Sequence, residues 1–121
     1  MASATVVGVP ITVSTVNVNG IRAAVRKGML AWLEATDADV ICLQETRAND
    51  GELTKALAPA LDAGWHLASA EPSAKGRNGV ALLSRAAPEA IRTGIGVAEF
   101  ADAGRYIEGD YGDVTVASLY L

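Results

Sequence analysis

The chain has 121 residues, 50% of them hydrophobic, which suffices for one domain and not for two. A formal net charge of −4 separates it from strongly basic nucleic-acid binders, although a local basic face would still serve an enzyme acting on DNA. Its single cysteine, Cys42, excludes an intrachain disulfide, and with no long apolar span and no basic leader it reads as a soluble, cytoplasmic protein that does not enter a membrane.

The first element is ITVSTVNVN at 11–19, a β-branched run of period two that predicts a strand with a ragged entry at Pro10. In IRAAVRKGMLAWLEAT at 21–36, Ile21, Val25, Met29 and Trp32/Leu33 recur at three-to-four spacing, which predicts a helix with Gly28 as its weak point. VICLQE at 40–45 is apolar and short enough for a buried strand. GELTKALAPALDAG at 51–64 predicts a helix interrupted at Pro59 and stopped at Gly64. WHLASA, GVALLSR, RYIEGDY and VTVASLYL then read as strands, parted by EPSAKGRNG and YGD, and GDYGD at 109–113 reads as a hairpin turn. The order β-α-β-α followed by strands predicts an α/β layered domain with a mixed sheet. Trp32 and Trp65 are expected in or beside the core, Cys42 as a small buried hydrophobe, and His66 as a packed or edge residue.

Two strand ends draw attention, because ligands in α/β sheets bind where strands give way to helices. Asn17 and Asn19 fall in phase on one strand, beside Gly20; helix capping needs one amide, not two. Glu45 closes the second strand at the border of core and solvent; a solvated charge or a partner for Arg47 is the plainer reading, a magnesium ligand the sharper one. Arg22, Arg26, Lys27, Arg47, Lys75 and Arg77 gather at strand ends and turns, as ordinary surface charge or as a face that tracks phosphates. Gly76 and Gly79 flank Arg77-Asn78 and would let backbone approach a sugar-phosphate strand.

Four pieces, VNVNGIRAA (16–24), ADVICLQETR (38–47), KGRNGVALLSR (75–85) and GRYIEGDYGDVTVASLYL (104–121), span most of the chain. In order and spacing they resemble the exonuclease III and apurinic/apyrimidinic endonuclease group of the endonuclease/exonuclease/phosphatase superfamily. The resemblance implies the N-terminal half of a four-layer α/β sandwich, a mixed β-sheet flanked by helices, with the site at one end between two sheets. It implies Mg²⁺-dependent cleavage of DNA phosphodiester bonds, with Mn²⁺ an alternative metal, at abasic sites or from 3′ ends. Position by position, Glu45 matches the metal-binding glutamate, Asn19 a position beside the metal, Asn17 the active-site asparagine and Tyr120 a catalytic tyrosine that contacts the scissile phosphate. Arg22, Gly76 and Arg77 fall in loops that touch the DNA backbone.

The family's Gly-Asp-x-Asn and Ser-Asp-His motifs do not occur in the chain; GDYG at 109–112 has Gly112 where asparagine is required. A fragment truncated in its last strand is therefore expected over residues 1–121, inactive by itself and lacking the C-terminal half of the same fold. Half a sandwich would expose an apolar face, so dimers or poor solubility are expected. A phosphoesterase of the same superfamily acting on a non-DNA substrate, or a non-catalytic binding module, are the competing readings.

Overall fold

The computed structural model describes residues 10–72, 76–94 and 104–120. β1 (Val13–Asn17) and β2 (Val40–Gln44) run parallel, Val13 opposite Val40 and Asn17 opposite Gln44. β4 (Val80–Ser84) pairs antiparallel with β2, and β3 (His66–Ala70) antiparallel with β4, giving a mixed sheet of order β1-β2-β4-β3. A second sheet, wholly antiparallel, has the order β5 (Ala90–Thr93), β6 (Tyr106–Tyr111), β7 (Val114–Leu119).

The alternation of side chains across β2 explains why VICLQ is apolar throughout. Ile41 and Leu43 point to one face, where they join Ile21, Met29 and Leu33 from α1 (Ile21–Arg26) and α2 (Met29–Ala35). Leu53 of α3 (Asp50–Ala56) and Ala60 of α4 (Ala58–Asp62) complete that core. Val40 and Cys42 point to the other face, packing with Val80, Leu82, Ile107 and Val116 between the two sheets. A strand covered on both faces reads as a continuous hydrophobic run. The sheets approach closely at Gly109 of β6, where a Cβ would stand 3.1 Å from Leu82 Cδ1 and Ile91 Cδ1.

Three of the four expected layers, helices, mixed sheet and second sheet, lie among the described residues. The apolar face expected to lie open is covered where the second sheet seals the inner side of β2 and β4; the exposed large apolar groups among the described residues, Val13, Trp32, Ile91, Val114 and Leu119, lie outside that seal. The single helix expected over 21–36 is two, because Gly28 takes φ +108 and ends the first. Trp32, expected in or beside the core, lies at its edge and is 39% exposed, since the break turns α2 and Leu33 becomes its buried anchor. Between 51 and 64 the break falls at Leu57, with Pro59 in the first turn of α4, where proline lacks no hydrogen bond. β5 has no counterpart in the sequence reading; all four of its residues are exposed, so no alternation marks it. The GDYGD turn forms as expected, Gly112-Asp113 joining Tyr111 to its partner Val114. Lys75 and Leu121 lie outside the described residues. Among those described, no helix is long and apolar enough to cross a membrane.

Candidate active site at the strand ends

Because β1 and β2 are parallel, both hand their chains to helices or loops at the same end of the sheet. There the loop after β1, the loop after β2 and the loop before β4 are stitched by backbone hydrogen bonds. Gly20 N donates to Glu45 O (2.8 Å), Ile21 N to Thr46 O (2.9 Å), Thr46 N to Gly79 O (3.1 Å) and Arg47 N to Asn78 O (2.9 Å). Thr46 is buried between them, and Gly79, at φ +92, leaves so little room that a Cβ would lie 2.2 Å from Thr46 Oγ1.

Every non-glycine residue with positive φ among the described residues sits in this rim: Asn19 (47°), Glu45 (54°), Arg47 (53°) and Asn78 (57°). Asparagine tolerates that conformation; glutamate and arginine adopt it at a strain of about 1–3 kcal/mol each, and such strain concentrates at functional sites. Glu45 thereby leaves the pleat of β2 at its last step.

The Glu45 side chain is 16% exposed and multiply bonded. Its Oε1 accepts from the Tyr120 hydroxyl and from Arg47 Nη2, each at 3.1 Å. The neighbouring Asn17 amide, then Arg47, then Tyr120, hold the carboxyl below its ordinary pKa. Asn17 Oδ1 accepts the Asn19 backbone N–H at 3.0 Å, an Asx turn that leaves the amide nitrogen for Glu45. Tyr120 is anchored in turn: its N–H donates to Arg105 O at 2.8 Å, and the Arg105 guanidinium lies 5.5 Å from its ring centroid.

The fold thus brings Asn17, Glu45 and Tyr120 together from β1, β2 and the end of β7. Asn19 stands beside them, exposed, its backbone engaged by Asn17. Arg22 points away to α3, where Nη1 meets Glu52 Oε2 at 3.0 Å, and Glu52 also closes the capping box with Asn49. Gly76, at φ +75, and Arg77 are exposed on the loop that Asn78 and Gly79 tie to the rim. The plainer expectation for Glu45, a pairing with Arg47, is also realised. Gln44 and Ser118, not singled out from sequence, lie directly beneath the site. Ser118 had one signal: a polar residue in an apolar strand, two positions from Tyr120 and so on its face.

Among the described residues no three acidic, histidine or cysteine side chains gather as a metal cage. A donor set of one hard carboxylate fits a magnesium-type ion, which keeps several waters and takes further oxygens from a phosphate substrate.

The chain matches a family model described as the endonuclease/exonuclease/phosphatase family over residues 14–121. It is 39% identical over 105 residues to an exodeoxyribonuclease of Bacillus subtilis, covering 86% of this chain and 40% of the relative. It is 32% identical over 105 residues to a DNA-(apurinic or apyrimidinic site) endonuclease of Dictyostelium discoideum, covering 87% of this chain and 28% of the relative. An AP endonuclease structure from Archaeoglobus fulgidus superposes with a TM-score of 0.79 at 28% identity, over 92% of this chain and 41% of that one. The chain therefore spans well under half the length of these relatives.

Proposed function

The chain belongs to the endonuclease/exonuclease/phosphatase family, and from that premise we propose that it supplies the metal and phosphate-binding part of a DNA-repair phosphodiesterase. The observation that carries this reading is the convergence of Tyr120, Arg47 and Asn17 on one strained carboxylate, Glu45. Glu45 is the proposed holder of Mg²⁺, or Mn²⁺ in its place, with Asn19 beside it. When bound, the ion polarises a phosphoryl oxygen and offsets charge on the phosphate.

The chain's own groups do the rest of the proposed work. Asn17 fixes the carboxylate's orientation. Arg47, exposed and paired with Glu45 in the free protein, is free to turn to an incoming phosphate. The Tyr120 hydroxyl donates to Glu45 now and to a non-bridging phosphate oxygen once substrate arrives, where charge accumulates. Gly76 and Arg77, and Arg22 if it leaves Glu52, contact the DNA backbone and set its path without reading sequence. With no Gly-Asp-x-Asn or Ser-Asp-His motif, the 121 residues carry no general base, and alone they should cleave slower than a complete site by a factor of about 10² to 10⁴.

Binding of an abasic-site duplex, followed by fluorescence anisotropy with and without Mg²⁺, tests the reading. Mg²⁺ should strengthen binding, Glu45→Gln should remove that dependence, and Arg77→Ala should weaken binding to all sequences alike. Tighter binding of an inositol phosphate than of the duplex would favour the non-DNA phosphoesterase. Binding indifferent to both Mg²⁺ and Glu45 would overturn the proposal.

A further inference from the structure

The interface between the two sheets is apolar along most of its length, and apolar surfaces fix spacing better than register. A polar link crosses it directly under the site. Gln44 Nε2 donates one hydrogen to Thr15 Oγ1 of β1 (2.9 Å) and the other to Ser118 Oγ of β7 (3.1 Å). Ser118 Oγ donates onward to the Leu43 carbonyl at 2.8 Å, and Ser118 is 0% exposed. Both hydrogens of the amide nitrogen and the hydrogen of the serine are thereby used, and a network satisfied in this way, anchored on a buried serine and open to solvent only at Thr15, holds its partners in one arrangement. Two further polar contacts between the sheets lie farther from the site. Cys42 Sγ reaches Ala117 O at 3.5 Å in mid-strand, and the Tyr111 hydroxyl reaches Ser84 Oγ at 3.2 Å beside Val40, at the opposite end of β2.

Gln44 immediately precedes Glu45, and Ser118 lies two residues before Tyr120 on the same face of its strand. We propose that Gln44 and Ser118 are positioning residues, a polar lock that sets β7 against β1 and β2 so that the Tyr120 hydroxyl meets the Glu45 carboxylate. The lock acts through Tyr120 and Glu45 and touches no substrate; its catalytic meaning rests on the function proposed above. Glutamate at 44 would not serve, because a carboxylate donates no hydrogen to either hydroxyl.

The test is a spectroscopic double-mutant cycle. The Tyr120 ring ¹³Cζ signal, assigned through Tyr120→Phe among the three tyrosines, should shift when Glu45 becomes Gln. In a Ser118→Ala background that response should fall by more than half. In Ser118→Thr, which restores the hydroxyl, it should return. Thr15→Val, on the exposed edge strand, releases one hydrogen of the same amide and should reduce the response less; it carries the test if Ser118→Ala does not fold. A serine that merely fills space would lower the melting temperature and leave the Tyr120 response to Glu45→Gln intact, and that result overturns the lock. A parallel Mg²⁺ titration separates the two claims. Loss of the Tyr120 response in the wild-type pair refutes the lock, whereas an intact response without Mg²⁺ binding refutes the metal site alone.

Discussion

Two clusters of the same residue types sit on opposite sides of the second sheet. At the strand ends, one carboxylate, Glu45, meets Arg47 and Tyr120. On the outer face, Arg92 is clamped by Glu108 and Asp110, its Nη2 2.6 Å from an oxygen of each, while Tyr106 donates to Glu108 at 2.7 Å and Thr115 to Asp110 at 2.8 Å. The outer cluster is a cross-strand ladder on regular backbone, with Arg92 directly opposite Glu108. Its two carboxylates share one arginine, and each has a hydroxyl donor of its own. The inner cluster draws on three separate segments, holds two of its members in left-handed conformations and rests on a polar link between the sheets. Composition does not tell them apart; the backbone strain accepted to assemble them does, and strain of that kind concentrates at functional sites.

That contrast makes predictions of graded size. The largest concerns the rim. Gly79→Ala places a Cβ against Thr46 and should destabilise by about 2–4 kcal/mol in urea unfolding. Gly112→Ala, in the hairpin of the second sheet, has the same sign of φ but open space around it and should lose only about 1 kcal/mol. Next, glycine should suit the two arginine sites differently. Arg47→Gly relieves a left-handed residue and gives up one exposed ion pair, so stability should stay level or rise by up to about 1 kcal/mol while duplex binding weakens. Arg92→Gly removes a four-bonded side chain from a strand and should lower the melting temperature with no effect on duplex binding.

The smallest effect is on acid stability. Arg92, then Thr115, hold Asp110 down at about 2, and Tyr106, then Arg92, hold Glu108 below the ordinary range. Depressed carboxylates stabilise fully above their unfolded pKa of about 4 and lose that contribution as the pH falls toward the folded value. Asp110→Asn should therefore flatten the decline in melting temperature between about pH 4 and pH 2. An unaltered acid limb would show that the outer ladder is no stabilising device.

The strands and helices that carry the site announced themselves in sequence because each buries a periodic face. VICLQ is continuous because two layers cover it, and Ile21 and Leu33 fall on the side that meets the sheet. β5 escaped because its residues are all exposed, and the split of the first helix because a glycine's left-handed φ is a choice made with the tertiary structure. The pairing of Asn17 with Glu45 followed from parallel strands ending together. Tyr120 rested on family resemblance alone, since joining it to Glu45 requires knowing that β7 lies over β2. Gln44 and Ser118 required the same knowledge, as the bond between them spans the two sheets. Arg22, grouped in sequence with the phosphate-facing residues, turns to Glu52 because α3 packs beside α1.

The central claim, that Glu45 is a metal-bearing carboxylate sharing its site with Asn17 and Tyr120, is tested most directly by titrating Mg²⁺ into the isotopically labelled chain and following backbone amide signals. The account predicts saturable, concerted shifts at Asn17–Asn19, Glu45–Arg47 and Ser118–Tyr120, all abolished by Glu45→Gln. Shifts centred on Glu108 and Asp110, or none that saturate, would contradict it.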